Sequence, residues 1–354
     1  MVMHIKRIAD GGLISLVALW VLLFSSIADA YQINPLENKY WVSRSPSVSV
    51  MVSESVHEEI TNRARVCAAV SVGVDGSPLT CTTMGPIPTG SKKGNKYDSL
   101  IRGVWWNDDP NQLLFAHVGK WGVWMKDANR IAKYGLNLRG ERKTLNKTYY
   151  MQYRSHYGDL QFLHAMATSN QEAAQVTRQH ILDWAEFSYA VAIRRINTQT
   201  LLSDVKTSHF QEHFKNQPGW TVSYLFGPKY RLERKDHFQE MAIGSLLHLI
   251  QDSYSDAHAL RNFEPSEKCP LGRVIEFHSY GKQNPDLHGV ADTRAAMKSQ
   301  KFTKEQHPVN ASATILRFMD DQEDWPVVKA YLRDTVFCLD ADAQGAGPGR
   351  YAQK

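Results

Sequence analysis

Apolar residues recur every three or four positions along most of the chain, which is the spacing of one face of an α-helix. The clearest such segments are 53–70, 158–196 and 237–261. Ser53 or Ser55 can cap the first helix, and the second segment is long enough for two helices or one very long helix. Convincing alternation of the kind that predicts strands is missing from the sequence. The pattern therefore predicts an all-α, single-domain, multi-helix fold.

Segments with weak helical patterning separate these helices. A stretch rich in Gly, Pro, Thr and Lys spans 73–96, and a Pro-, Gly- and Asn-rich insertion spans 264–286. Residues 100–115 read LIRGVWWNDDPNQLLF, a short apolar element that runs into an acidic turn. The closing residues ADAQGAGPGRYAQK predict a flexible tail over 341–354. We therefore place one domain at 31–340.

The first 30 residues have the pattern of a secretory signal peptide. Lys6 and Arg7 precede an apolar run over residues 12–24, and the segment ends in SSIADA at Ala30. The run is shorter than the roughly 18 residues that a membrane-spanning helix needs. We therefore expect cleavage before Tyr31, no transmembrane anchor in the mature chain, and a secreted or periplasmic protein.

The cysteine count agrees with export. Four cysteines follow the predicted signal peptide, at Cys67, Cys81, Cys269 and Cys338. In an oxidising compartment an even number predicts disulfides, and four cysteines allow three pairings. Proximity along the chain favours Cys67–Cys81 and Cys269–Cys338. The chain has no C-x-x-C motif, so a thiolate metal site is not expected.

The charge balance is mildly basic, with 41 Lys and Arg against 36 Asp and Glu and a net charge of +5. Both signs are interspersed, and no long run of Lys or Arg occurs. This balance is compatible with an anionic surface or a phosphate-bearing substrate. It does not predict a stable nucleic-acid partner.

The segment HLIQDSYSDAH, residues 248–258, places two histidines and two aspartates in an otherwise apolar helix. His248 and Asp252 are four residues apart, so they share one helical face and can bind one cation. His258 lies roughly 15 Å further along a straight helix and would serve a second ion, unless the helix breaks near Ser255. One such pair is more often a set of satisfied core groups or a cap.

A second His-x3-Asp pair favours a metal site over satisfied core groups. His288 and Asp292 repeat the spacing within 45 residues of His248. Nitrogen and carboxylate donors of this kind suit zinc. The sequence therefore favours a metal site with more than one ion.

The string HLIQDSYSDAH resembles the central motif of the zinc-dependent phospholipase C and S1/P1 nuclease superfamily. Other elements of that family are matched in order: ESVHEEITNRA supplies His57, RGVWWNDDP supplies Asp108 or Asp109, and GDLQFLHAMA supplies His164. The stretches RGVWWNDDP and YGDLQFLHAMA are more similar to the bacterial phospholipase C branch than to the nucleases.

The resemblance implies an exported, mainly α-helical protein with two or three clustered Zn²⁺ ions. The implied ligands are Asp108, His164, His248 and Asp252 for one zinc, His258, His288 and Asp292 for a second, and His57 with Asp252 for a third, Asp252 bridging two ions. We prefer Asp108 to Asp109, and Asp108 is also the catalytic residue that the resemblance implies, as general base.

One departure from the family concerns the third ion. In the family, the mature chain begins with a Trp that binds this zinc just before the histidine, whereas Tyr31 stands 26 residues before His57 and the nearest Trp is Trp41. A later propeptide cleavage, a different ligand or the absence of this ion would each explain the departure. Glu58 is an available carboxylate, although a solvated helix charge is the simpler interpretation.

Other histidines rank lower as ligands. His278 lacks a carboxylate four residues on, where Lys282 stands, and His156 and His117 are interpreted as structural or surface groups. His57 begins HEEIT, in which Thr61 occupies the place of the second histidine of a zinc-protease motif, so that function is rejected.

The function that the resemblance implies is hydrolysis of the glycerol-side phosphodiester bond of phospholipids at a membrane surface. With phosphatidylcholine, metal-activated water would release diacylglycerol and phosphocholine. One alternative is an S1/P1-type zinc nuclease acting on single strands, but the GGN loop of many such nucleases is missing from residues 259–287. The other is a non-catalytic, zinc-stabilised helical binding protein, which would close each ion with four protein ligands rather than three.

Overall fold

The computed structural model describes residues 33, 54–69, 98–110, 130, 139–140, 151–207, 210–227, 237–300, 302–303 and 306–353. The predicted signal peptide, Trp41, Cys81 and His117 lie outside these residues. The helices are α1 Val56–Ala69, α2 Ser99–Trp106, α3 Met151–Tyr157, α4 Ala174–Ala192, α5 Phe210–Phe214, α6 Val222–Phe226, α7 Phe238–Asp252, α8 Pro285–Ala291, α9 Arg294–Ser299, α10 Pro308–Asp320 and α11 Trp325–Tyr331. Short 3-10 turns occur at Gln161–His164, Leu202–Asp204 and Gly349–Tyr351, and a π turn at Leu332–Val336.

Helix α7 lies at the centre of the described core. It packs against α2, α4 and α10, and it is buried on nearly every side, as expected for a helix that is apolar all round. The polar residues in its second half, Ser245, His248, Gln251 and Asp252, are therefore buried as well.

Two glycines allow α2 and α7 to cross in close contact. A Cβ atom at Gly103 would lie 2.4 Å from the carbonyl oxygen of Met241, and one at Gly244 would lie 2.4 Å from that of Leu100. Both obstacles are backbone atoms, so only glycine fits at this crossing. The close approach places the C-terminal end of α2 beside the last turns of α7.

Helix α1 begins where the sequence predicts. The carbonyl oxygen of Ser55 accepts the amide proton of Glu59 at 3.0 Å, which places Ser55 at the cap. The carboxylate of Asp98 caps α2 through the amide of Ile101 at 3.1 Å and also pairs with Arg65 of α1 at 2.7 Å. The helix that carries His57 and the helix that leads to Asp108 are thus tied together at one end.

The long segment 158–196 folds as two helical pieces rather than one. A 3-10 turn at Gln161–His164 ends at Ala165, whose φ of 52° is left-handed, and α4 starts at Ala174. Before this turn, Arg154 of α3 forms two hydrogen bonds of 2.8 Å with the carboxylate of Asp159. This ion pair fixes the path of the chain between α3 and the turn that ends at His164.

Two short strands correct the prediction that strands are absent, so the fold is mainly rather than wholly α. Strand β1, Ala259–Asn262, pairs antiparallel with β2, Arg273–Phe277, with an irregularity between Leu260 and Arg261. Strands of four and five residues with a break in register are too short to show a clear alternating pattern. Strand β2 lies inside the segment that we interpreted as an insertion.

Residues 341–353, which lie in the predicted flexible tail, form hydrogen bonds with the rest of the chain. The amide of Ala346 donates to the carbonyl of Glu172 at 2.9 Å, and Tyr351 is only 5% exposed. Because backbone amides and carbonyls make most of these contacts, a Gly- and Ala-rich composition does not prevent the segment from packing.

One predicted disulfide is confirmed. Cys269 and Cys338 are bonded across a sequence separation of 69 residues. The other predicted pair cannot be described because Cys81 lies outside the described residues. Stable disulfides are typical of proteins in oxidising compartments. Among the residues that the structure describes, no helix combines the length and the apolar character needed to cross a bilayer.

Candidate metal centre

The structure brings all eight predicted metal ligands together in the interior. Asp108 follows α2, His164 ends the 3-10 turn, and the others lie on α1, on the last turns of α7, in the turn after it, and on or just after α8. Seven of the eight are 0% exposed and Asp108 is 3% exposed. Burying so many ionisable groups is costly unless they are paired or bind a cation.

Three ligand atoms form a compact triangle. The Nδ1 atom of His164 lies 3.0 Å from Oδ2 of Asp252, Nε2 of His248 lies 2.9 Å from the same oxygen, and the two nitrogens are 3.1 Å apart. Two atoms bound 2.0–2.1 Å from a tetrahedral zinc would lie about 3.3 Å apart. Oδ1 of Asp108 lies 3.9 Å from the His164 nitrogen and 4.0 Å from the His248 nitrogen. The donor set thus fits a zinc-sized cation.

A second triangle joins the turn after α7 to α8. The Nε2 atoms of His258 and His288 are 3.1 Å apart, and that of His288 lies 3.1 Å from Oδ2 of Asp292. Nε2 of His258 lies 3.6 Å from the other oxygen, Oδ1, which also accepts a hydrogen bond of 2.5 Å from the hydroxyl of Ser255. These three side chains likewise fit one cation.

A helix break explains how His258 reaches this position. Helix α7 ends at Asp252, and turns follow in which the amide of Ser255 donates to Asp252 and the amide of His258 donates to Ser255. Nδ1 of His258 therefore lies 3.8 Å from Oδ2 of Asp252, far closer than a straight helix would allow. Of the two sequence-based alternatives, the structure has the broken helix.

His57 contacts the other oxygen of Asp252. Its Nε2 atom lies 3.1 Å from Oδ1, and its ring stacks on that of His248 with centroids 4.0 Å apart. His57, Asp108 and His248 also offer ligand atoms within 4.8 Å of one another. Asp252 therefore contacts two different sets of imidazoles through its two oxygens, as the resemblance implies for a bridging carboxylate.

Glu58 does not have the solvated position that we expected for it. It is 2% exposed, and its Oε1 atom accepts a hydrogen bond of 2.6 Å from the indole of Trp105. This hydrogen bond compensates part of the cost of burying the carboxylate.

Backbone carbonyls fix the tautomers of two ligands. Nδ1 of His248 lies 2.7 Å from the carbonyl oxygen of Val104, and Nδ1 of His258 lies 2.6 Å from that of His164. A carbonyl only accepts, so each Nδ1 carries a proton, and Nε2 is the ligand atom of each ring in its neutral form. Metal-binding histidines are typically held in this way.

Two buried glutamines play the same part for two other histidines. Oε1 of Gln251 accepts from Nδ1 of His57 at 2.6 Å, because its Nε2 atom donates to the hydroxyl of Thr61 at 2.9 Å. Oε1 of Gln283 accepts from Nδ1 of His288 at 2.6 Å. Sequence reasoning missed both glutamines. Gln251 directly precedes Asp252, whereas nothing in the sequence marks Gln283.

The electrostatics favour anionic carboxylates and mostly neutral imidazoles. Although burial opposes its ionisation, Asp252 has a pKa well below its usual value because His248 and His258 lie beside it. Burial lowers the pKa of His248 to about 4 and that of His164 well below its usual value. These are the protonation states in which both residue types bind metals.

His258 is the exception. Burial disfavours its charged form, but the carboxylates of Asp252 and Asp292 outweigh this effect and raise its pKa to about 9. A cation that binds at this triangle must therefore displace a proton at neutral pH.

His156 belongs to the centre, although we interpreted it as a structural or surface group. It is 0% exposed, and its Nε2 atom lies 3.9 Å from Oδ1 of Asp108. Together with Asp108 and His164, it forms a further group whose ligand atoms lie within 4.8 Å of one another. The sequence gives no spacing signal for it, because its approach to Asp108 depends on how α3 packs.

The structure also distinguishes Asp108 from Asp109 and shows the surroundings of His278. Asp108, and not Asp109, belongs to the His/Asp groups found among the described residues. His278 is buried and hydrogen-bonded to the carbonyl of Ala257 at 3.2 Å, outside those groups. The ring of Tyr280 forms a wall of the centre, with its centroid 5.1 Å from that of His288 and 6.1 Å from that of His258.

Comparisons with known proteins do not identify a family. No protein-family model, no curated protein and no solved structure matches this chain. What the structure itself supports is a buried centre whose histidine and aspartate side chains can hold metal ions.

Proposed function

We propose that this protein is an exported zinc-dependent hydrolase of phosphodiesters, of the phospholipase C type. The observation that carries the proposal is the Asp252 carboxylate, with one oxygen 3.1 Å from His57 and the other 2.9 Å from His248. A shared carboxylate between two sets of imidazoles is what a cluster of neighbouring cations needs. Such clusters are used to hydrolyse phosphate esters.

The residues that would hold the ions are those of the triangles. Asp108, His164, His248 and Asp252 would hold one, His258, His288 and Asp292 a second, and His57 with Asp252 a third. When bound, zinc ions neutralise the phosphodiester charge and lower the pKa of water, so that a nucleophile is available at neutral pH.

Asp108 is the proposed general base. It lies at the edge of the cluster, where its Oδ1 atom is 3.9–4.0 Å from nitrogens of His156, His164 and His248. A carboxylate at this place can accept a proton from water as that water attacks phosphorus. The carboxylate is only 3% exposed, so bulk water has little access to it.

The substrate class is proposed from the motifs, since RGVWWNDDP and YGDLQFLHAMA are more similar to bacterial phospholipases C than to the nucleases. The number of protein ligands in the second triangle, three, favours catalysis over a purely structural role for His258, His288 and Asp292. Three protein ligands leave a zinc ion one open position for water or substrate, whereas structural zinc is closed by four. With phosphatidylcholine, the products would be diacylglycerol and phosphocholine.

The test is release of phosphocholine from phosphatidylcholine vesicles by zinc-loaded protein, with a chelated sample and a zinc-restored sample alongside. We expect release that stops on chelation and returns with zinc. Single-stranded DNA and RNA are offered in parallel. Cleavage of nucleic acid without phosphocholine release would replace the phospholipase by a nuclease, and tight zinc binding with no hydrolysis would favour the non-catalytic alternative.

A further inference from the structure

The last residues of the chain run beside the segment that leads into α8. We call residues 346–353 the C-terminal strap. The amide of Ser279 donates to the carbonyl of Gly347 at 2.9 Å, that of Asn284 to the carbonyl of Tyr351 at 2.6 Å, and that of Gln353 to the carbonyl of Lys282 at 2.8 Å. Gln283 and Ala352 also form an isolated antiparallel bridge. The strap thus acts as a short edge strand for residues 279–284.

The side chain of Gln283 connects the strap to a candidate ligand. Its Nε2 atom donates to the carbonyl of Ala257 at 2.9 Å and to that of Pro348 at 3.2 Å. Because both partners can only accept, the amide has one orientation, and its Oε1 atom faces Nδ1 of His288 at 2.6 Å. That contact puts the proton on Nδ1 and leaves Nε2 of His288 directed at His258 and Asp292.

We propose that the C-terminal strap is part of the second metal site, and that Gln283 is the positioning residue through which it acts. The strap holds Gln283 from both sides, through the Pro348 carbonyl and through a hydrogen bond of 2.9 Å from the side chain of Gln353 to the Gln283 carbonyl. Gln283 in turn fixes the tautomer and the direction of His288. The inference rests on the metal binding that the proposed function requires.

Contacts further along the strap reach both sides of the same site. Tyr351 packs in a buried cluster with Ala257 and Ala291, and Arg350 pairs with Asp256 at 2.6 Å. Ala257 and Asp256 lie in the turn that carries His258, and Ala291 directly precedes Asp292. The strap therefore bridges the two chain segments that supply the three ligands.

Gly349 provides a way to disturb the strap without touching a ligand. Its φ is +55°, and a Cβ atom there would lie 2.4 Å from the ring of His278. Gly349→Ala should therefore push the strap away from Gln283. Gly140→Ala is the matched control, because Gly140 also has a positive φ, of +76°, but a Cβ there meets no described atom within 4 Å.

The test measures zinc binding by competition with a chromophoric chelator and by the absorption spectrum of the Co²⁺-substituted protein. Gln283→Leu removes the acceptor of His288 and should weaken one ion by about 10–100-fold, the usual loss for an outer hydrogen-bond partner of a ligand. Gln283→Glu keeps the acceptor of His288 but loses the donations to the Ala257 and Pro348 carbonyls, so its zinc affinity should lie between those of wild type and Gln283→Leu. Gly349→Ala should weaken the same ion, and Gly140→Ala should not.

A double-mutant cycle assigns the loss to the second site. In a His288→Ala background, Gln283→Leu should cause no further weakening, because the ligand through which it acts is gone. Wild-type affinity in both Gln283→Leu and Gly349→Ala would overturn the inference while leaving the proposed function intact. A wild-type protein that binds no zinc would overturn both.

Discussion

His248 is held at both ring nitrogens, and this makes its replacement informative. One nitrogen donates to the Val104 carbonyl, and the other lies 2.9 Å from Asp252. We expect His248→Ala to lose one zinc ion and to lower the rate of hydrolysis by more than about 100-fold, beyond the loss usual for an outer partner. The measurements are zinc content and phosphocholine release. His237→Ala, a substitution of the half-buried residue that precedes α7, is the control, and full activity in His248→Ala would contradict the site assignment.

The two neighbouring aspartates after α2 should differ sharply. Asp108 lies among the imidazoles, whereas Asp109 is buried outside the His/Asp groups. We expect Asp108→Asn to lower kcat by about 10²–10⁴-fold, the usual contribution of a positioned general base. Asp109→Asn should keep its full zinc content. A large fall in kcat or a loss of zinc in Asp109→Asn, with neither in Asp108→Asn, would exchange the roles of the two aspartates.

The residues that the sequence could identify are those with a spacing or a motif. His248 with Asp252 and His288 with Asp292 stand four residues apart on helices, so local geometry alone pairs them. His156 and Gln283 carry no such signal. His156 meets Asp108 across 48 residues of chain, and Gln283 acts only because the strap orients its amide. Contacts of this kind depend on packing that no local pattern encodes.

At the scale of elements, the crossing of α2 and α7 sets the positions of three candidate ligands. Backbone atoms of α2 occupy the space that a side chain at Gly244 would need, so Gly244→Ala must push the two helices apart. We expect it to lower the free energy of unfolding by about 3 kcal/mol, the upper end for overpacking, and to weaken zinc binding. Urea denaturation measures the loss. Gly219→Ala, where a Cβ meets no atom of the described residues within 4 Å, should change stability little, and equal effects would refute the crossing argument.

The ion pair beside the His164 turn should make stability depend on pH. Although burial opposes its ionisation, hydrogen bonds from Arg154 and His213 hold the pKa of Asp159 well below its usual value. Asp159→Asn leaves the buried Arg154 without its carboxylate, so we expect a loss of about 3–5 kcal/mol at pH 7.

The sign follows from the lowered pKa. The stabilisation is complete above the unfolded pKa of about 3.9 and is lost as the pH falls below it. The difference between wild type and Asp159→Asn should shrink by about 1.4 kcal/mol per pH unit in that range. Urea denaturation at pH 7 and pH 3 measures it, and a constant difference would show that the ion pair contributes nothing through charge.

The sequence predicts the helices of this protein, but it does not predict strands β1 and β2 or the C-terminal strap. The apolar spacing of 237–261 identifies α7, but it does not show that the helix stops at Asp252, where turns bring His258 back. Strands β1 and β2 are short and irregular in register. The strap is held by backbone hydrogen bonds, which almost any residue can form, so the amino-acid composition does not predict it.

For the whole molecule, the metal centre should contribute directly to stability. Its ligands come from segments spread over residues 57–292, and ions that bind only the folded chain stabilise it by about 2.7 kcal/mol each at a hundredfold excess over Kd. With two ions the loss is about 5.4 kcal/mol, and an unfolding entropy of about 2.1 cal/mol/K per residue converts this loss into a fall in Tm of roughly 7 °C on chelation. Calorimetry with and without chelator tests this, and an unchanged Tm would argue against tightly held ions.

The shared position of Asp252 has a consequence for how this centre can change by mutation. His57 and His288 each lie at one edge of the cluster, so either can be replaced with the loss confined to its own side. Asp252 touches His57 through one oxygen and His164 and His248 through the other. A substitution there removes contacts to both sets in a single step, whereas the three side chains of the His258, His288 and Asp292 triangle stay in place. The proposed first and third ions would therefore be lost together through Asp252, whereas the proposed second ion could be lost separately.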